Sequence, residues 1–530
     1  MRVNHMQETS ENLHTPNDSQ QEPGTPHKLN PWITLGLCLF IAFAFLLIAT
    51  KSSPLYPIND WTDANTFFTV GKGMFNGRVP YRDLFEQKGP LLYFIFGLGY
   101  LISHTTFLGV FIFEALSFAV FLYFSHRLIT LFVGEKYSLI ALPLVAAAVL
   151  NLRSFGHGGS AEQFTLPLFA ISIYYLVHYF KITFPQPMPP SWLFLNGVVA
   201  GCVLWIKYSF VGFWAAWIGA LLVNLLLQKK YLGSLRAAAI YLGGMASATL
   251  PWLVYFGFHG AIRDWFHTYF VINLTSYPMD LTLRERIMVP IDSLQRHLAF
   301  NPLAVSLLLL GVIVFITNRA FLNDRYSRLG LFAGVVLLAL GVYGGGRDYV
   351  YYFFIFAPFI TFGFIVLLSL YHQAYPRLKT ITLIILVLFS LLGAFGYTLR
   401  FQRNTYMLGW DRSDQIQYRY ARLINQTDNA TLLNYGSLDS GFYTAAGITP
   451  TTKYFQQYNI DYGRYPHATD EQNRYIKDQE VDFLIIQVNP AESGENLPIP
   501  YLYENYKLVA DGTQLFGETE FKYLLFSKLE

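Results

Sequence analysis

Asp63-Ala64-Asn65-Thr66-Phe67, followed by Pro80-Tyr81-Arg82-Asp83-Leu84-Phe85-Glu86-Gln87-Lys88-Gly89-Pro90-Leu91-Leu92-Tyr93, comes directly after the first very apolar segment of the chain. It gathers Asp63, Asp83, Glu86 and Lys88 where a membrane protein meets water. A loop that only joins two membrane helices has no need of so many ionisable groups. Chemistry on a charged, lipid-borne substrate is their simplest use. The architecture turns on how the next run, Gly89 to Ser103, is read. As a helix its 15 residues would reach about 22 Å, against roughly 30 Å of hydrocarbon. It also opens on Gly-Pro and contains Gly97 and Gly99. We read it as an interfacial or re-entrant helix, not a crossing.

The rest of the chain supplies the membrane. Of 530 residues 53% are hydrophobic and 13% charged, where a soluble protein carries about 25% charged. Apolar segments fall near 32–50, 105–125, 138–152, 163–180, 192–206, 210–228, 237–258, 302–317, 329–343, 352–370 and 380–399. With the N-terminus inside, the connectors holding Arg127, Lys136, Lys181, Lys229, Lys230, Arg236, Arg319, Arg325, Arg328, Arg377 and Lys379 face the cytoplasm, which satisfies the positive-inside rule. Counting Gly89–Ser103 as a span would put the 126–136 basic turn outside. The fold class is therefore a polytopic α-helical membrane protein of about eleven spans. It carries a small C-terminal α/β domain on the outer side, after Arg400.

The expected organisation is a disordered cytoplasmic N-terminus over 1–30, a membrane domain over 31–400 and a soluble extracytoplasmic module over 401–530. The membrane domain has a first outer loop at 51–104 and a large outer loop at 259–300. That large loop is too charged to span, and its Trp265, Phe266, Tyr269 and Phe270 favour ordered packing. In the module, strands are expected over 430–435, 481–487, 506–510 and 522–526, with helices over 414–425 and 470–477. No cleavage site follows the first apolar run, so it reads as a retained anchor. The net charge of +3 gives no case for nucleic acid. Cys38 and Cys202 both sit in apolar runs and suggest neither a disulfide framework nor a cysteine metal site.

Candidate chemistry lies on the outer face. Asp63 can take a proton from an acceptor hydroxyl, or it can cap a helix over 64–74. Lys88, beside Glu86, can neutralise a phosphate or diphosphate, or it can snorkel at the interface. Arg153, His157 and Glu162 share the next outer loop. Two carboxylates there, Asp63 and Glu162, can orient an acceptor or bind a divalent cation through oxygens, but no spacing specifies a metal. Lys207 and Arg347 interrupt apolar sequence at short outer turns and fit either phosphate contacts or membrane-edge positions. Tyr349, Tyr351 and Tyr352 suit interface anchoring before sugar stacking. Glu114 lies inside a span, where an ionisable group costs about 2.5–3.5 kcal/mol and calls for a partner or an aqueous cavity.

This order of parts resembles the GT-C glycosyltransferase superfamily, and within it the family 39-like enzymes. These include protein O-mannosyltransferases and the aminoarabinose transferase of lipid A. The resemblance rests on Asp63 in the first outer loop, Phe85-Glu86-Gln87-Lys88-Gly89-Pro90-Leu91 opening an interfacial helix, Glu162 at the start of a span, Lys207 in an outer turn, and Arg347 followed by tyrosines. It covers about residues 30–400. The chain departs from the pattern in having Ala64 after Asp63, Lys-Gly-Pro for Lys-Pro, and Glu162 where Asp is common.

The resemblance implies a bacterial inner (plasma) membrane glycosyltransferase with its site on the extracytoplasmic face. It would move a sugar from a polyprenyl-phosphate donor to a hydroxyl on a lipid, glycan or protein, with inversion. Asp63 would be the base, and Lys88, Lys207 and Arg347 would hold the donor phosphate. Glu86, Arg153 and Glu162 are expected to orient groups or serve the acceptor. The competing expectations are a transporter or lipid-carrier flippase, whose charges would lie along a midplane path, and a polysaccharide polymerase.

Overall fold

A computed structural model describes residues 30–375 and 378–529. The expected polar N-terminus and Arg377 lie outside them, except for Asn30. The Asn30 side chain accepts from the Trp32 N–H at 3.0 Å and starts the first helix, Pro31–Ala49. Eight helices are long and apolar enough to cross a membrane. The other expected spans form the shorter helices Glu135–Leu150, Pro190–Ile206 and Pro302–Thr317. Small residues set the closest approach within the bundle. A Cβ on Gly197 would stand 2.0 Å from the Tyr241 carbonyl oxygen, so Pro190–Ile206 can lie against Tyr231–Phe258 only with glycine there.

The connections segregate to two ends. At one end the turns are short and basic: Lys181 lies 4.2 Å from the Phe132 ring, and Lys136 donates to the Leu378 carbonyl at 3.2 Å. At the other end the charged loops converge. The Lys51 N–H donates to the His157 carbonyl, the Gly89 N–H to Ile206, and the Phe85 N–H to Lys453. Gly89 to Ser103 forms a helix of 13 residues, Pro90–Ile102, with proline in its first turn. At about 1.5 Å per residue it is too short to cross, and it packs on Thr62–Phe75 and Leu108–Val133.

Two expectations are corrected. The segment 259–300 is not one long loop. Its second half is the helix Leu283–Phe300, started by a capping box in which Thr282 and Glu285 exchange hydrogen bonds. Leu283, Ile287, Met288 and Ile291 stay exposed along it, so the charge that excludes a span belongs to an amphipathic surface helix. In the C-terminal region the four strands are β1 (Leu432–Tyr435), β2 (Phe483–Val488), β3 (Tyr506–Phe516) and β4 (Thr519–Lys528), in sheet order β1-β2-β4-β3. β1 and β2 are parallel, and the rest of the sheet is antiparallel. β3 and β4 extend well past the expected 506–510 and 522–526. Their distal halves, Asp511 to Phe516 and Thr519 to Phe521, are exposed or half-buried, and backbone pairing carries them where the hydrophobic pattern gives little signal.

This region does not stand apart from the membrane portion. One apolar core joins Phe67 and Phe68 of Thr62–Phe75 to Tyr420, Phe442, Tyr443 and Phe455. Phe85 packs among Tyr454, Tyr458 and Tyr465, with its ring 4.7 Å from Tyr458.

Candidate active site

Thr62–Phe75 begins at the end of the bundle where the charged loops converge and places Asp63 in its first turn. Trp61, at the N-cap, makes no side-chain cap bond. The Asp63 carboxylate is half-buried and accepts from the Tyr351 hydroxyl at 3.0 Å. Its bond partner is thus a side chain 288 residues away, not its own helix end, so capping does not account for it. Tyr351 enters the site as the group that holds Asp63, a role its reading as an interface anchor missed. The only signal was its closeness to Arg347 in a tyrosine-rich run.

The turn before Pro90–Ile102 is built around Glu86. This carboxylate is buried, accepts from the Lys88 N–H at 2.7 Å and receives a very short hydrogen bond from the Tyr93 hydroxyl. Its other oxygen lies 3.7 Å from Lys88 Nζ. Glu86 is therefore an organiser of the Lys88 loop. The Lys88 ammonium also sits 5.5 Å from the Phe67 ring, one turn beyond Asp63. Burial alone would lower its pKa, but the charges of Glu86 and Asp63 outweigh that and hold Lys88 above its ordinary value. Gly89 is required by close approach. Its N–H donates to the Ile206 carbonyl at 3.0 Å, and a Cβ there would stand 2.0 Å from the Trp205 carbonyl oxygen.

That junction brings Lys207 beside Lys88. Lys207 Nζ contacts Glu162 Oε1 at 2.7 Å and the Tyr352 ring centroid at 3.9 Å. Glu162 is fully buried and its Oε2 has no partner. Burial lowers the pKa of Lys207, with Glu162 opposing and Lys88 reinforcing the shift. Glu162 is thus the buried counter-ion of Lys207. Arg347 donates from Nε to the Tyr277 carbonyl at 3.0 Å and stacks on the Tyr277 ring at 4.4 Å. Lys88, Lys207 and Arg347 line a single cavity of about 90 Å³, together with Tyr208, Tyr277 and Tyr352.

Arg153 belongs elsewhere. Its guanidinium lies over Phe300 at 5.2 Å and lines a separate cavity of about 760 Å³ with Trp61, Thr62, His157 and Arg403. Both cavities are lined by sequence neighbours of the Asp63–Tyr351 pair. Thr62 lines the large one, and Tyr351, which bonds Asp63, is followed by Tyr352 of the small one. His157 stacks on Trp61 with centroids 6.0 Å apart. Burial and the Lys51 ammonium push its pKa down to about 4. Lys51 and Asp60 form a buried ion pair at 2.5 Å, joined by the Tyr406 hydroxyl. The sequence reading passed over this pair, although both residues flank the first outer loop. Glu114 accepts from Gln163 at 3.0 Å and backs onto the loop at Gly158 and Gly159, so it lies near this same end and not on a midplane path. Among the described residues no group of three or more His, Cys, Asp and Glu gathers as a metal centre.

Comparison with solved structures adds the architecture. The crystal structure of ArnT from Cupriavidus metallidurans bound to undecaprenyl phosphate superposes with a TM-score of 0.59 at 11% identity, over 94% of this chain and 98% of that one. This chain has a GT-C-like fold. The same enzyme in its apo state superposes with a TM-score of 0.58. Arabinofuranosyltransferase AftD from Mycobacteria is similar at a TM-score of 0.49 and 12% identity, over 94% of this chain but 41% of that one. No family model matches the chain, and no curated protein sequence matches it significantly. A GT-C-like fold over nearly the full length makes the chain a polytopic membrane protein with its C-terminal sheet region included in the likeness.

Proposed function

We propose that this chain is a membrane glycosyltransferase that moves a sugar from a polyprenyl-phosphate donor to a hydroxyl acceptor, with inversion, on the outer side of a cell envelope membrane. The observation that carries this reading is the cavity shared by Lys88, Lys207 and Arg347 beside Asp63. Three cations around a space of about 90 Å³ suit one phosphate group, which charge-assisted bonds hold strongly at a partly dry site. Next to it an apolar groove of about 520 Å³ runs between Leu91 and Phe94 of the short helix and Val198, Cys202, Pro251 and Trp252. Its apolar lining suits a prenyl chain leading to the phosphate. The solved ArnT structure bound to undecaprenyl phosphate supports the same donor class.

In the proposed step Asp63, oriented by Tyr351, takes the proton of the acceptor hydroxyl. The acceptor oxygen forms a bond to the anomeric carbon from the face opposite the phosphate. The bond from that carbon to the phosphate oxygen breaks, and its electron pair leaves on the lipid phosphate, where Lys88, Lys207 and Arg347 balance the charge. The basic turns at the opposite end of the bundle support an outward-facing site. The test is transfer in vitro from a panel of polyprenyl-phosphate sugars to a mixed hydroxyl acceptor pool. Product should form with at least one donor and vanish in Asp63→Asn and Lys88→Ala. Full turnover in both variants would overturn the assignment.

A further inference from the structure

The cavity of about 760 Å³ is not needed for the donor. It opens between the outer end of the bundle and the turn joining β3 to β4, Phe516-Gly517-Glu518-Thr519. Its lining includes Trp61 and Thr62, the two residues before Asp63. Trp61 also touches the Tyr351 ring, with centroids 5.3 Å apart, and Tyr351 is the residue that bonds Asp63.

The charge in this cavity is unbalanced in a specific way. Lys51 and Asp60 satisfy one another as a buried pair. Arg153 and Arg403 do not. Among the described residues neither guanidinium has an ion pair within 4.0 Å, and neither donates a side-chain hydrogen bond, although both line the cavity. Burial lowers the pKa of both, Arg403 lowers that of Arg153 further, and Glu518 on the hairpin turn is the carboxylate that opposes the shift in each. Guanidinium groups stay charged throughout the accessible pH range, so two free forks face a space large enough for a sugar residue. His157, neutral through most of that range, and Trp61 give the same space a flat aromatic wall.

We propose that this cavity receives the acceptor and that Arg153 and Arg403 bind an anionic group, a phosphate or a carboxylate, carried by a sugar of that acceptor. This rests on the glycosyltransferase reading and narrows its acceptor to an anionic glycan or glycolipid. Glu518 is then the resident counter-charge that the ligand anion displaces.

The test is saturation-transfer NMR on the full chain in lipid nanodiscs, with glucose 6-phosphate, glucuronate and glucose as probes. Both anionic probes, or one of them, should bind in preference to glucose, and the preferred one tells phosphate from carboxylate. Each guanidinium removed should weaken that binding about tenfold, so Arg153→Gln with Arg403→Gln should abolish it. Glu518→Gln should tighten it, and Lys88→Ala should leave it in place. Equal binding of glucose would overturn the proposal. So would anionic binding that survives the double arginine variant and disappears in Lys88→Ala, since the probe would then occupy the donor site only. Loss of transfer activity with anionic binding intact would instead tell against the donor chemistry.

Discussion

Asp63 accepts a hydrogen bond from Tyr351 and, among the described residues, has no cation within ion-pair distance, which leaves the carboxylate oriented for the proposed proton transfer. Asp63→Asn keeps the shape and removes the base. It should lower the rate of the chemical step roughly 10²–10⁴-fold with donor binding unchanged, measured by single-turnover transfer alongside donor titration. Lys207 and Glu162 are different in kind, because Glu162 is fully buried and Lys207 is its only ion-pair partner among the described residues. Lys207→Met strands a buried carboxylate and should cost about 3–5 kcal/mol, read as a drop in melting temperature in detergent. Adding Glu162→Gln should recover much of the loss, while donor binding stays weak in both variants. His157 makes a pH prediction. Its folded pKa of about 4 lies below the ordinary 6.5, so between those values the unfolded chain takes up a proton that the folded chain refuses. Stability is therefore full above pH 6.5 and falls as the pH drops toward 4. His157→Gln should flatten that part of the melting curve against pH, and an unchanged slope would remove His157 as its source.

At the level of elements, the short helix Pro90–Ile102 decides where the cations meet. Its start is locked to the end of Pro190–Ile206 by Gly89, whose missing side chain lets Lys88 and Lys207 converge. The Lys-Gly-Pro departure noted in the sequence thus has a steric cause. Gly89→Ala should destabilise the protein by about 1–3 kcal/mol and raise the donor KM more than it lowers kcat, since Lys88 is displaced while Asp63 is not. Equal KM values in the two proteins would show that the junction does not position Lys88. The shortness of this helix, its Gly-Pro start and the sidedness of the charged loops were all legible in sequence, because length and charge bias are local properties. The lateral arrangement on that outer face was not. Counting spans puts Arg153 on the same side as Lys88, but only packing shows them in different cavities. The Lys207–Glu162 pair, the Tyr351–Asp63 bond and the Lys51–Asp60–Tyr406 cluster join distant or unremarkable positions, for which one sequence carries no pattern. Leu283–Phe300 was hidden for another reason: its charges excluded a span, and its apolar stripe shows only once a helix is assumed.

For the whole molecule, the change of composition after Arg400 marks where lipid-facing sequence ends, and it suggests a separate module. The packing says otherwise. Thr62–Phe75, which carries Asp63, has its inner face on the bundle and its outer face in the core of the C-terminal region. Three buried polar contacts fix that second face. Thr66 donates to Gln456 at 2.8 Å, Thr69 to Asp439 at 2.7 Å, and the Lys72 ammonium to the Tyr443 carbonyl at 2.9 Å. The same region supplies the turn at Gly517 and Glu518 that walls the larger cavity. A helix held from both sides cannot keep the end that carries Asp63 in place when one side lets go. Replacing Thr66 and Thr69 together by valine keeps their shape and leaves Gln456 and Asp439 each with one donor fewer in a buried interface, at about 1 kcal/mol for each bond. That cost falls on the docking of residues 402–529 and not on the bundle. Limited proteolysis should therefore cut the C-terminal region of the double variant first, with the membrane portion still resistant, and transfer should fall in step with that release. Transfer that persists after the C-terminal region has been cut away would mean that the bundle alone holds Asp63 in position.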